Sequence, residues 1–249
     1  MTKLGDLSTD ALSALLASAS DVVALVPVGS VEPHGPHLPL STDTLISEGV
    51  CLRAAERLTR EQRVALVAPS VSYGVTNYAQ GFAGAITVPA DVLTALLRAI
   101  VEGYLRDGFA HVCLVNNHLE PDHDRAVRAA VVGIDRASVA CPLDKRWGRT
   151  LSDEYKSGAC HAGRYETSLV LAVAADKVDD AAAKALPALD ISLSQGIRAG
   201  KTTFRSMGIE RAYTGAPGEA SAEEGADLIE RLATMVVTEV EEALARIDR

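Results

Sequence analysis

The apolar stretch Val22–Val28 runs straight into the turn Gly29-Ser30-Val31-Glu32-Pro33-His34-Gly35-Pro36-His37-Leu38-Pro39-Leu40-Ser41-Thr42-Asp43, and this junction limits the folds open to the chain. An unbroken aliphatic run suits a strand buried on both faces, which occurs almost only in parallel sheets covered by helices. The turn gathers Glu32, His34, His37 and Asp43, while Pro33, Pro36 and Pro39 restrict its backbone before any ligand arrives. Carboxylate beside imidazole suits a divalent transition metal such as zinc, manganese or iron. The run reads as half of a metal site.

The other half follows a second strand. His111–Asn116 is again apolar in its body, and it empties into Asn117-His118-Leu119-Glu120. In open α/β sheets, functional groups collect beyond the carboxyl ends of strands, so two such turns on neighbouring strands face one another. Glu32, His34, Asp43, His118 and Glu120 are too many ligands for one catalytic zinc, which takes three and keeps one position open. Five ligands with one bridging carboxylate fit a pair of ions about 3.5–4 Å apart.

The remaining elements alternate. Helices are expected over Ser8–Ala19 (Ser8 as N-cap), 43–59, Ala90–Gly108, Asp122–Arg136, Tyr165–Ala175 and Ser221–Ile247. Strands are expected at Val64–Ala68 and Ser138–Pro142, besides the two above. Pro69–Val88 reads as irregular, and 176–216 is poorly patterned, a lid or an oligomer contact. The order predicts a mainly parallel sheet with helices on both faces, a three-layer α/β/α sandwich in one domain spanning 1–249.

Composition mostly excludes. A net charge of −9 and 4% aromatic residues argue against a nucleic acid or an anionic membrane surface as partner. No apolar run approaches the roughly 18 residues of a membrane span, and the N-terminus lacks a signal-peptide pattern, so a cytoplasmic location is expected. Cys51, Cys113, Cys141 and Cys160 are scattered, without metal or disulfide spacing.

A third constellation, Gly158-Ala159-Cys160-His161-Ala162-Gly163-Arg164-Tyr165-Glu166, sets a histidine among small residues before a helix. His161 there is a candidate proton donor or substrate anchor. Glu166, in the first helical turn, is a capping carboxylate or a functional one. Cys160 and Glu166 join Tyr73, Asn77 and Tyr78 of the irregular stretch as candidate substrate contacts. His37 reads as support for its loop and His111 as structural, while His123 belongs to a segment that lines the entrance.

The stretches PVGSVEPHGPHLPLSTD, VNNHLEP and HAGRYETS, in this order and spacing, resemble the three signatures of the creatininase (creatinine amidohydrolase) family, from about residue 20 to 175. The resemblance implies an α/β/α metalloenzyme that hydrolyses a non-peptide C–N bond of a cyclic or linear amide by a metal-bridging hydroxide. It also implies a small-molecule amide substrate, a homo-oligomer of hexameric type, and two divalent ions per chain, zinc and/or manganese. By position, Glu32, Asp43 and His118 match the ligands of one ion and His34, Asp43 and Glu120 those of the other. Asp43 bridges, and His161 matches the histidine of proton transfer, with Glu120 as a proton shuttle. Ser157-Gly158-Ala159-Cys160 stands where creatininase proper carries a tryptophan and an aspartate, Asn117 replaces a glycine, and Pro121 replaces an asparagine. The resemblance therefore implies the metal chemistry rather than creatinine itself. Within the family, trimming of a ribosomal cofactor precursor and deformylation are the alternatives. Outside it, the rivals are a non-catalytic metal-binding scaffold and a phosphoesterase, and no Arg or Lys cluster lies near the ligand turns in sequence.

Overall fold

A computed structural model describes residues 2–19, 21–61 and 63–247. Its sheet is parallel throughout, in the order β1-β3-β2-β4-β5, with strands Thr2–Lys3 (β1), Val22–Val28 (β2), Val64–Val67 (β3), His111–Asn116 (β4) and Ala137–Ala140 (β5). Successive side chains of a strand point to opposite faces, and both faces of β2 are covered. Val23 and Leu25, with Cys113 and Val115, pack against one set of helices. Val22, Ala24, Val26 and Val28, with Val112 and Leu114, pack against the other. Every residue of β2 and β4 is buried, which is why both read as continuous apolar runs.

The first helical layer holds α2 (Thr42–Arg60), α7 (Arg164–Ala174) and the long α10 (Ala222–Ile247). Val50, Leu58, Leu169, Leu232 and Val236 are among its buried contacts. The second layer holds α1 (Thr9–Ser18), α3 (Ala90–Arg106) and α4 (Pro121–Ala130), contributing Leu12, Leu93, Leu97 and Val127. Ser8 caps α1 by accepting the Ala11 amide at 3.3 Å. Each large aliphatic side chain so buried contributes about 1.5–3 kcal/mol against solvent.

The topology places the site. From β2 the chain passes through α2 to β3 on one side, then through α3 to β4 on the other. β2 and β4 are thus direct neighbours, with Val28 opposite Asn116 at their carboxyl ends. That reversal of strand order opens the crevice in which α/β sheets bind ligands.

Two elements differ from the sequence expectation. α4 stops at Ala130 rather than at Arg136, because the chain turns through Gly133 (φ +76°) to bring β5 alongside β4. The short edge strand β1 pairs with Leu66 and Val67, a contact no local pattern announces. Between α4 and α10 lie the short helices α5 (Lys145–Gly148), α6 (Asp153–Ser157), α8 (Asp180–Lys184) and α9 (Leu193–Arg198). Among the described residues no helix is long and apolar enough to cross a membrane.

Candidate metal centre

The two ligand turns are tied together at their roots. Ser47 of α2 donates its hydroxyl to the Val28 carbonyl at 2.7 Å and accepts the Asn117 amide at 3.2 Å and its side-chain Nδ2 at 3.1 Å. Asn117, in the place of a family glycine, is a strut between β2, α2 and β4. Gly29 must be glycine, since a Cβ there would lie 2.6 Å from the Thr44 amide nitrogen. Gly35 takes φ +66°, the left-handed conformation that glycine adopts without strain. Asp43 lies in the first turn of α2, where the helix dipole favours a carboxylate.

Seven acid and imidazole groups converge here, none more than 6% exposed: Glu32, His34, Asp43, His118, Glu120, His161 and Glu166. His34 Nε2 lies 3.2 Å from Asp43 Oδ1, 3.5 Å from Glu166 Oε2 and 3.6 Å from Glu32 Oε1. His118 Nδ1 lies 3.0 Å from Asp43 Oδ2 and 3.3 Å from Glu32 Oε1. Asp43 therefore presents one oxygen to each imidazole, the arrangement a bridging carboxylate needs.

Backbone carbonyls orient each ring. His34 Nδ1 meets the Glu32 carbonyl at 3.0 Å, His118 Nε2 the Val75 carbonyl at 2.8 Å, and His161 Nε2 the Pro33 carbonyl at 3.0 Å. A carbonyl only accepts, so each of those nitrogens carries the proton and the opposite nitrogen faces the cluster as a lone pair. Such outer partners are what ligating histidines require. Thr76 donates its hydroxyl to Glu32, and the Asn77 and Tyr78 amides donate to Glu120 at 3.0 and 3.2 Å. Ala162, strained at φ +49°, donates its amide to Glu166 at 2.6 Å.

The donor set fits a cation. His34 Nε2 and Asp43 Oδ2 are buried and make no hydrogen bond despite their close neighbours. Four buried carboxylates without a counter-cation are costly, and in its absence protons serve instead. Burial alone would lower His34, but Asp43, Glu166 and Glu32 outweigh it and raise the imidazole to about 10. His118 is likewise raised by Glu32 and Asp43 against burial. Burial would raise Glu32, yet His118 holds it at about 2. Burial pushes Glu166 to about 8 and Glu120 to about 6, against the pull of His34 and His118 respectively. His161 goes the other way: burial and repulsion from His34 hold it at about 4.

The ligand atoms fall into three groups, each within 4.8 Å: Glu32, His34 and His161; Glu32, His118 and Glu120; His34, Asp43 and Glu166. This differs from the division that the resemblance implies. Glu166 rather than Glu120 stands with His34 and Asp43, because the Asn77 and Tyr78 amides draw Glu120 to the His118 side.

The sequence model described as creatinine amidohydrolase matches residues 6–240. The chain belongs to the creatininase family. Among curated members of that family, it is 36% identical over 185 residues to the mycofactocin precursor peptide peptidase of Mycobacterium ulcerans, covering 70% of this chain and 67% of the relative. A peptidase of the same name from Mycolicibacterium smegmatis is 34% identical, the match covering 63% of this chain and 60% of that one. The chain thus spans roughly two thirds of the peptidases it matches. The creatinine amidohydrolase of Pseudomonas putida is 30% identical over 198 residues, 71% of this chain and 73% of that one. Solved creatininase structures share the fold: a manganese form has a TM-score of 0.73 at 22% identity, covering 98% of both chains. A mutant of Zn-Zn type has a TM-score of 0.74 at 23% identity, covering 97% of both. The chain is accordingly a creatininase-family hydrolase with a divalent-metal-type ligand cluster.

Against this family frame, the weaker sequence expectations separate. Tyr78 and Cys160 line the cleft over the ligands. Asn77 acts through its backbone amide on Glu120. Tyr73 is 54% exposed and does not line the cleft, a correction to its reading as a substrate contact. Glu166 is buried in the ligand cluster, beside His34, and also lines the cleft. His123 is fully buried beside His118 instead of lining an entrance, because the α4 N-terminus turns it inward. His37 supports its loop through Thr167 at 2.9 Å, and His111 bonds Ser138 at 2.8 Å.

Sequence reasoning missed the cleft's roof. Phe204 stacks on His161 with ring centroids 4.5 Å apart, and Leu193 and Ile197 of α9 close the side. These come from the unpatterned segment 176–216, where the only signal is a scatter of apolar residues such as Ile191, Phe204, Met207 and Ile209. An aromatic wall is therefore present, supplied by a segment far along the chain from the ligand turns.

Proposed function

We propose that this protein is a metal-dependent hydrolase of an amide C–N bond in a small cyclic or linear amide, with two divalent ions, zinc or manganese, per chain. The carrying observation is Asp43, which presents one oxygen to His34 Nε2 and the other to His118 Nδ1, with His34 Nε2 and Asp43 Oδ2 buried and without a hydrogen bond. Glu32, His118 and Glu120 would hold one ion and His34 and Glu166 the other, sharing Asp43. Bound ions supply Lewis acidity to the carbonyl and lower the pKa of water from 15.7 to about 7.

The chain's own groups supply the rest. His161 points Nδ1 into the cleft, 3.7 Å from Glu32 Oε1 and 3.9 Å from Glu166 Oε2, with Nε2 anchored on Pro33. In that position its Nδ1 lone pair takes a proton from the attacking water and hands it to the departing nitrogen, which amide cleavage needs because an amine anion leaves poorly. Glu120, fixed by the Asn77 and Tyr78 amides, completes the group around His118. Phe204, Leu193 and Ile197 exclude water from the cleft and strengthen these interactions.

Peptide trimming is the second reading, favoured by the 36% identity to a peptide-cleaving relative. A homo-oligomer, hexameric by resemblance, and a cytoplasmic location belong to the same proposal. The test is elemental analysis of the purified protein followed by ammonia and amine release from a panel of amides, imides and short peptides. Metal near two equivalents with amide turnover supports the reading. Metal near zero returns the scaffold reading, and release of phosphate from esters with no amide turnover returns the phosphoesterase.

A further inference from the structure

The cleft above the ligand cluster has a volume of only about 50 Å³, well below the roughly 300–1,000 Å³ of a typical ligand pocket. A substrate must therefore continue elsewhere. Leu119, Pro121, Cys160, Leu193 and Ile197 line both this cleft and an adjoining groove of about 820 Å³. Pro142 and Leu143 extend the apolar floor, and Leu143 is 39% exposed.

The rim of that groove carries Lys145 of α5, Arg149 just after it, Lys156 of α6 and Arg198 of α9, and among the described residues no acidic one lines it. Lys156 is paired with Asp153 at 2.7 Å, whereas Lys145, Arg149 and Arg198 have no ion-pair partner among the described residues. In a chain of net charge −9, an apolar trough edged only by cations selects for an anionic occupant. The uncharged polar groups along the trough are already committed. Tyr155 donates its hydroxyl to the Pro142 carbonyl and Leu193 its amide to the Gly158 carbonyl, whereas Arg198 gives only two of its five N–H donors to Ser194. A peptide backbone would find few partners here, whereas an aliphatic chain needs none.

We propose that the groove is the specificity site of this hydrolase and takes an amide substrate whose apolar arm ends in a carboxylate held by Lys145, Arg149 and Arg198. The inference rests on the hydrolase reading for the amide end, and on the groove alone for the arm.

Binding is measured by calorimetric titration of the manganese-loaded protein with suberamic acid, suberamic acid methyl ester and the shorter succinamic acid. Suberamic acid is expected to bind about tenfold more tightly than its ester and about tenfold or more tighter than succinamic acid. The triple variant Lys145→Gln, Arg149→Gln, Arg198→Gln is expected to bring acid and ester within about twofold, and Arg149→Glu alone to narrow the gap. All four positions of the rim are exposed, so these variants retain the fold. Equal binding of acid and ester by the unaltered protein overturns the proposal. So does an acid preference that survives the triple variant and disappears on metal removal, since the carboxylate would then sit on the ions. A change in oligomeric state of the triple variant on gel filtration also overturns it, marking the groove as a subunit contact. Ammonia release from acetamide and suberamic acid is measured in parallel. If neither is hydrolysed while the groove preference holds, the hydrolase reading fails and the groove assignment stands.

Discussion

His118 and His123 stand edge to face, ring centroids 4.6 Å apart, and both grip Val75. His118 donates to the Val75 carbonyl at 2.8 Å, and the Val75 amide donates to His123 Nδ1 at 3.2 Å. A histidine that touches no substrate thus fixes the loop that fixes a ligand. His123→Leu is expected to keep the fold and weaken metal binding about 10–100-fold, as loss of a ligand's supporting partner does. Competition for metal against a chelator checks this, and unchanged affinity would show that Val75 needs no anchor.

Gly74 makes that arrangement sterically possible. A Cβ at this position would lie 2.5 Å from the His123 ring and 2.9 Å from the Gly29 carbonyl, so neither neighbour can give without disturbing the other. Gly74→Ala is expected to lower stability by about 1–3 kcal/mol and to reduce metal occupancy together with it. Urea unfolding of the metal-loaded and chelated protein measures both.

The grouping of ligand atoms distinguishes two glutamates. Glu166→Gln is expected to abolish the binding phase that depends on His34 and leave the one that depends on His118, and Glu120→Gln the reverse. Asp43→Ala should weaken both and remove activity. Calorimetric titration with manganese resolves the phases; loss of the same phase in both glutamate variants would rule out the division.

His161→Ala should retain metal and reduce turnover about 10²–10⁴-fold. Phe204→Ala, which exposes the ring of His161, should reduce it less. Turnover of the His161 variant within about twofold of the unaltered protein would make this histidine a bystander.

A pH effect on stability follows from His111, far from the ligand cluster. Burial, aided by Arg246, holds its imidazole at about 4, below the usual 6.5. The folded form refuses a proton that the unfolded chain accepts, so stability is full above pH 6.5 and falls as the pH drops toward 4. The loss is at most about 1.4 kcal/mol per pH unit for this one group. His111→Gln should remove that share of the slope, measured as unfolding free energies between pH 7 and 4.5; identical slopes would assign it elsewhere.

The sequence by itself determined the central strands, the layers and the turns that carry the candidate ligands. Val22–Val28 and His111–Asn116 are bounded as their apolar runs predict, because a strand buried on both faces tolerates little else. The turns after them declared their chemistry through residue types that seldom crowd together without a cation. Only the tertiary structure decided that Glu166 lies beside His34 and that Phe204 roofs His161. Those facts depend on contacts between segments far apart in the chain, made by residues such as Phe204 and Ile197 in short helices without periodicity. The basic rim is the clearest case: Lys145, Arg149 and Arg198 are unremarkable as sequence. They come to line one groove because the fold brings the α5 segment and α9 together, and charge acts through space rather than along the backbone.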